Sequence, residues 1–211
     1  GTCCYPLTVM DYHSRYLLDC RIIDGTRCEQ SRRVFESVFS NYGLPRRIRT
    51  DNGVPFASIA VGGLSRLSAW WIRLGILPER IEPGQPQQNG RHERMHRTLK
   101  QETLHPPGPN AQTQQTRFDS FRKRYNNIRP HESLKQKTPA SCYSPSSRPF
   151  PSSLPEPQYP GHFRKARVNH NGTIWLNGTY VYLGYLLRGE TVGLEELDHE
   201  LWAVYFGFLP L

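Results

Sequence analysis

Two acidic residues in contrasting settings carry the clearest chemistry in this chain. Thr50-Asp51-Asn52-Gly53 places one carboxylate behind a short strand-like stretch, and Pro86-Gln87-Gln88-Asn89-Gly90-Arg91-His92-Glu93 places another at the start of a helical pattern. With 41 residues between Asp51 and Glu93, the two can meet only through the fold. Converging carboxylates are what a divalent-cation site for phosphoryl transfer needs, because Mg2+ and Mn2+ take hard oxygen ligands. At about 100° per residue, Glu93, Arg97 and Lys100 share one helical stripe, while Met95 and Leu99 lie on the other side. A carboxylate bordered by two cations suits a metal held beside a phosphate backbone. The plainer account is a solvated Glu–Arg i,i+4 pair worth about 0.3–0.5 kcal/mol.

The same helix contains a second possibility. His92-Glu93-Arg94-Met95-His96 is a literal H-E-x-x-H, the helical zinc signature of metalloproteases. Its metzincin extension fails, since Thr98 stands at the glycine position and Glu102 at that of the third histidine. A zinc peptidase would also leave Asp51 and the positive charge without a role. Asp11 is a further acid at a strand end, but starting the turn towards His13 is the preferred account of it over metal binding.

The elements that must position these groups follow from periodicity. Residues 5–11 and 16–23 read as strands around His13-Ser14-Arg15, and Arg47-Ile48-Arg49-Thr50 as a short strand with Asp51 at its C-terminal end. Val34, Phe35, Val38, Phe39 and Tyr42 recur at helical spacing and stop at Gly43-Leu44-Pro45. Leu64, Leu67, Trp70, Trp71 and Leu74 mark a buried helix closed by Gly75. A helix follows Asn89-Gly90, and Phe118, Phe121 and Tyr125 mark another. Strands alternating with helices indicate an α/β layer over residues 1–141. Residues 142–161, with six Pro and five Ser, read as an extended linker. In 162–211, the stretches 163–168, 173–176, 179–183, 191–194 and 201–206 alternate with Asn-Gly and Gly turns, which suits a small all-β barrel.

Composition narrows the function. The 211 residues carry a formal net charge of +9, with 27 Lys+Arg against 18 Asp+Glu. The excess is confined to residues 1–141, at +10, while 142–211 stand at −1. A basic domain attracts a polyanion, and nucleic acid is the expected partner. No run approaches the length of a membrane span, so no membrane association is expected. The five cysteines are odd in number and lack C-x-x-C spacing, which favours reduced thiols over disulfides or a zinc site.

Four motifs occur in order: T-D-N-G, a helix with two tryptophans, P-Q-Q-N-G-R-H-E-R-M-H-R-T-L-K, and Y-N-x-x-R-P-H-E-S-L. Together they resemble the integrase-like DDE transposases of bacterial insertion sequences, relatives of retroviral integrases, over about residues 5–143. The resemblance implies a ribonuclease H-like mixed sheet flanked by helices. It also implies Mg2+ or Mn2+ held by an Asp-Asp-Glu triad, and polynucleotidyl transfer that nicks element ends and joins the 3′-hydroxyl to target DNA. Asp51 matches the second Asp and Glu93 the Glu. Asn89 and Gly90 match the loop into the catalytic helix, and Arg97 and Lys100 its DNA-facing positions. The partners implied are transposon ends, target DNA and further copies of the chain, in the bacterial cytoplasm at the nucleoid. The first Asp of the family pattern is expected on a strand preceding Gly1, so residues 1–211 are expected to lack one ligand and one strand and to be inactive alone. A non-catalytic DNA-binding or assembly remnant stands as the alternative.

Overall fold

The computed structural model describes residues 5–23, 25, 28–51, 53, 55–56, 58, 60–82, 84–199 and 201–211. Asn52, within the first acidic motif, therefore lies outside the described residues, as do Cys3 and Cys4. Two compact units emerge: residues 1–44 with 81–150, and residues 45–80 with 151–211.

In the first unit, β1 (Tyr5–Met10) pairs antiparallel with β2 (Leu17–Ile23) through a turn that Asp11 organises. The Asp11 carboxylate accepts the Ser14 amide at 2.7 Å and the Ser14 hydroxyl at 2.6 Å, and its backbone carbonyl accepts the Arg15 amide at 3.0 Å. Asp11 is thus occupied as a turn residue. Helix α1 (Cys28–Tyr42) buries Val34, Phe35, Val38 and Phe39 on one face. It ends where Gly43 adopts φ +77° and donates its amide to Phe39 O at 2.9 Å, a left-handed C-terminal cap that a Cβ would strain. Helix α3 (Gly90–Thr103) buries Met95, Leu99 and Thr103. Helix α4 (Ala111–Asn127) starts with Asn110 Oδ1 accepting the Thr113 amide at 2.8 Å, and buries Phe118, Phe121 and Tyr125. Leu17, Cys20, Met95, Leu99, Phe118, Phe121 and Tyr125 form one apolar cluster joining β2, α3 and α4. Fully burying each such large apolar side chain contributes about 1.5–3 kcal/mol.

Helix α4 also closes the outer edge of β2, whose unpaired amides and carbonyls would otherwise template association. Asn126 accepts the Leu17 amide at 2.8 Å and donates to the Leu17 carbonyl at 3.0 Å, as a neighbouring strand would. Gln115 does the same one step along, accepting from Ile22 at 3.0 Å and donating to Cys20 O at 2.9 Å. Arg122 donates to Leu18 O at 2.8 Å.

In the second unit, β3 (Arg47–Thr50) pairs in parallel with β4 (Leu77–Arg80). Parallel neighbours need a crossover, and α2 (Arg66–Arg73) supplies it, opened by a capping box in which Ser65 and Ser68 each accept the other's amide. Leu67, Trp70, Trp71 and Ile72 are all buried, so the helix is enclosed on more than one side. The remainder is all-β. Strands β5 (Arg164–Arg167), β8 (Thr191–Asp198), β9 (Leu201–Phe206) and β10 (Leu209–Pro210) form one antiparallel sheet in the order β10-β9-β8-β5. β6 (Thr173–Leu176) and β7 (Thr179–Tyr182) form a hairpin. Its Asn177-Gly178 turn has φ +45° and +83°, the pair of positive angles that a two-residue turn of this hand demands. Val168, Ile174, Leu176, Leu187, Val192, Leu194 and Phe206 pack in one cluster with Leu64 and Ile72 from the α2 segment. The C-terminal sheets thus share a core with residues 45–80.

The short helix α5 (Pro139–Cys142) is followed by residues 143–163 without helix or strand, yet these are not loose. The Ser146 amide donates to Tyr42 O at 2.9 Å, the Leu44 amide to Arg148 O at 2.7 Å, and Tyr143 stacks on Tyr16 at 4.4 Å. Further on, the Tyr159 hydroxyl donates to Thr191 O at 2.7 Å and accepts the Gly207 amide at 3.0 Å. Each half of the Pro-rich stretch is fastened to its own unit.

Candidate functional site

Asp51 directly follows β3 and is exposed, with its Oδ1 accepting the Gly53 amide at 3.0 Å. Glu93 lies in the first turn of α3, on the exposed face with Arg97 and Lys100. Met95 and Leu99, 2% and 0% exposed, anchor the opposite face. Helical periodicity alone imposes this division: the residues that pin α3 to the core are those that turn Glu93, Arg97 and Lys100 to solvent. Asn89 ends the 3-10 turn Pro86–Asn89 and occupies the N-cap position of α3 without a side-chain capping bond. Asp51 belongs to the second unit, and Glu93, Asn89, Arg97 and Lys100 to the first. Among the described residues, no group of three or more His, Cys, Asp or Glu side chains is gathered as a metal site. The donors themselves are exposed carboxylates, the hard oxygen type that Mg2+ or Mn2+ takes.

The histidines of the H-E-x-x-H stretch have a different partner. His92 Nε2 and His96 Nε2 each lie 2.7 Å from the hydroxyl of Thr8 on β1, and their rings stack at 4.7 Å. One hydroxyl can donate to one ring and accept from the other, so the two imidazoles must present opposite tautomers at Nε2. Burial, then the neighbouring His96, pushes the His92 imidazolium from 6.5 down to about 4. His92 is therefore neutral at ordinary pH, and the shared Thr8 hydroxyl clasps α3 to β1 immediately beside Glu93. Spacing at i and i+4 signalled that the histidines share a face; nothing in the sequence pointed to Thr8.

Arg15 lies under this region, 8% exposed with φ +65°, and among the described residues its Nη1 has no hydrogen-bond partner. Burial, then Arg91, lowers its pKa, and Arg94 adds to the effect. Arg91 itself stacks 4.0 Å over the Tyr12 ring and donates to Tyr12 O at 3.0 Å. Arg91, Arg94 and the buried Arg15 thus gather at the start of α3. Cys20, wholly buried, has its thiol pushed up to about 12 by burial and takes no part in chemistry at ordinary pH.

One further surface feature lies on the β6–β7 hairpin. Trp175, Tyr180 and Tyr182 occupy the outward positions of the β6–β7 hairpin, while Ile174, Leu176 and Val181 point into the core. The alternation in T-I-W-L and T-Y-V-Y was the available signal.

Residues 1–86 and 74–139 each match a model of the integrase core domain, and the chain belongs to that family. It is 35% identical over 136 residues to the uncharacterized 39.2 kDa protein of insertion element IS476 from Xanthomonas euvesicatoria, covering 64% of this chain and 37% of the relative. It is 39% identical over 74 residues to the Gag-Pol polyprotein of baboon endogenous virus, covering 35% of this chain and 4% of that polyprotein. The chain thus spans well under half the length of these relatives. Among solved structures it is similar to the simian T-cell lymphotropic virus intasome in complex with PP2A regulatory subunit B56 gamma, with a TM-score of 0.52 at 15% identity. That likeness covers 98% of this chain and 76% of the other, and bears on the fold: integrase-like, with mixed α/β content. Among the described residues, no helix is long and apolar enough to cross a membrane.

Proposed function

We propose that this protein is the recombinase of a bacterial insertion sequence, nicking DNA at the element's ends and joining the freed 3′-hydroxyl to target DNA. In this reading Asp51 and Glu93 hold Mg2+ or Mn2+ within a ribonuclease H-like sheet. The bound cation supplies Lewis-acid stabilisation of charge on the phosphoryl oxygens. Asn89, Arg97 and Lys100 hold the phosphate backbone alongside, and the exposed stripe lets a duplex approach without disturbing the core. The His92–Thr8–His96 clasp fixes the pitch of α3 and so the position of Glu93. The 162–211 region serves as a small β-barrel that assists DNA or subunit contacts, and the active form is a homo-oligomer on DNA at the nucleoid. Residues 1–141 act as the catalytic core and 142–161 as its tether.

The observation that carries this reading is the placement of Glu93, Arg97 and Lys100 on the solvent face of a helix pinned by Met95 and Leu99 within a matched integrase core. The test is magnesium-dependent joining of end-mimicking DNA by the full-length protein. Glu93→Gln should abolish joining and leave DNA binding largely intact. Arg97→Ala and Lys100→Ala should weaken binding and reduce its salt slope by about one each. Joining by Glu93→Gln at the unsubstituted rate would overturn the assignment.

A further inference from the structure

The β6–β7 hairpin exposes an unusual concentration of aromatic surface. Trp175, Tyr180, Tyr182 and Tyr185 are 52%, 66%, 56% and 61% exposed. Trp175 and Tyr180 are cross-strand partners whose rings meet edge-to-face at 4.7 Å, and Tyr182 meets Tyr185 at 5.8 Å. The hairpin register explains three of these rings: with Ile174, Leu176 and Val181 committed to the core, period-two alternation drives Trp175, Tyr180 and Tyr182 to the other face, and Tyr185 follows in the 3-10 turn Tyr185–Leu187. A contiguous patch of this kind on a folded domain marks a binding surface.

What adjoins the patch identifies the partner. The Arg188 guanidinium stacks 5.4 Å over the Tyr185 ring. Both line an open cavity of about 930 Å³ together with Arg66, Arg167, Asn169 and His170. Among the described residues no carboxylate lines this cavity, and Arg66, Arg167 and Arg188 enter no ion pair. Three uncompensated guanidinium groups beside stacked aromatic faces are the two components that single-stranded nucleic acid requires. Bases unpaired from a duplex stack on rings, and phosphates pair with cations. A duplex, whose bases are already stacked, has no use for the rings.

We infer that the outward face of the β6–β7 hairpin and the adjoining arginine cavity bind unpaired nucleotides of a DNA strand. Trp175, Tyr180 and Tyr182 stack the bases, and Arg66, Arg167 and Arg188 hold the phosphates. The inference rests on the DNA-acting reading above and gives the C-terminal region its own ligand: a frayed or single-stranded end.

The test uses the whole chain with EDTA present, so that phosphoryl transfer is silent. Binding is measured by anisotropy to labelled oligothymidine and to a blunt duplex of equal length. Oligothymidine should bind the more tightly and quench tryptophan emission; Trp175→Phe should remove much of that quenching and keep most of the affinity. The Trp175→Ala, Tyr180→Ala double variant should lose about ten-fold or more in single-strand affinity while duplex affinity stays unchanged. Replacing Arg66, Arg167 and Arg188 together by Ala should lower the single-strand salt slope by about two. Unchanged single-strand affinity in the double aromatic variant would overturn the inference. If that variant instead converts an oligomer to a monomer in sedimentation with single-strand affinity intact, the patch is a self-association face and the inference fails. Duplex binding without single-strand preference would sink this inference alone; no DNA binding of any kind would sink the recombinase reading with it.

Discussion

The clasp between β1 and α3 makes a sharp prediction about acid stability. His92 titrates near 6.5 in the unfolded chain and at about 4 in the folded one, so between these values the unfolded state binds more protons. Stability is therefore fully present above about pH 6.5 and is lost as the pH falls towards 4. A depression of that size amounts to roughly 3 kcal/mol in total, of which about 2 kcal/mol is lost between pH 7 and pH 5. His92→Phe keeps a ring against His96 but removes the titration. It should cost about 1 kcal/mol at pH 7 through the lost bond to Thr8, and its stability should then fall by about 2 kcal/mol less than that of the parent on going to pH 5. Thr8→Val should behave oppositely. It leaves two ring nitrogens without their shared hydroxyl and lowers stability by about 2–3 kcal/mol at every pH, but preserves the slope, because burial and not the hydroxyl depresses His92. The assay is urea denaturation of metal-free protein followed by tryptophan fluorescence at pH 7, 6 and 5. Equal losses between pH 7 and 5 in His92→Phe and the parent would refute the argument.

Two further outcomes concern the scaffold. Asn126→Leu should cost about 2–4 kcal/mol by denaturant midpoint, since it strips both the amide and the carbonyl of Leu17 of their partner; Asn126→Asp, which can accept but not donate, should also be destabilising. Gly43→Ala should release residues 146–148 from the end of α1, because a Cβ there would lie 2.5 Å from Ser146 O and 2.8 Å from Arg148 O on a backbone at φ +77°. Limited proteolysis within 143–150, slow in the parent, should become fast.

Much of the local structure was legible because it obeys short-range rules. The alternation in 173–182 and the Asn-Gly turn specify β6 and β7 to within a residue. The 3.6-residue spacing of Met95 and Leu99 determines that Glu93, Arg97 and Lys100 face water. β4 was not legible. Leu77-Pro78-Glu79-Arg80 has a proline, two charges and no alternation, and becomes a strand only because β3 lies alongside it in parallel, with Arg47 and Arg49 pairing to Glu79.

By itself, then, the sequence determined which residues are acids, cations and aromatics, and which side of each helix or strand they occupy, since backbone periodicity depends on neighbours a few positions away. Only tertiary structure decided that a histidine pair with metalloprotease spacing closes on Thr8, that α4 lends its carboxamides to the edge of β2, and that Leu64 and Ile72 complete the core of the C-terminal sheets. Each of those outcomes depends on contacts between residues from about 80 to more than 140 positions apart. Their partners are selected by packing and hydrogen-bond satisfaction across the fold, which no local pattern encodes.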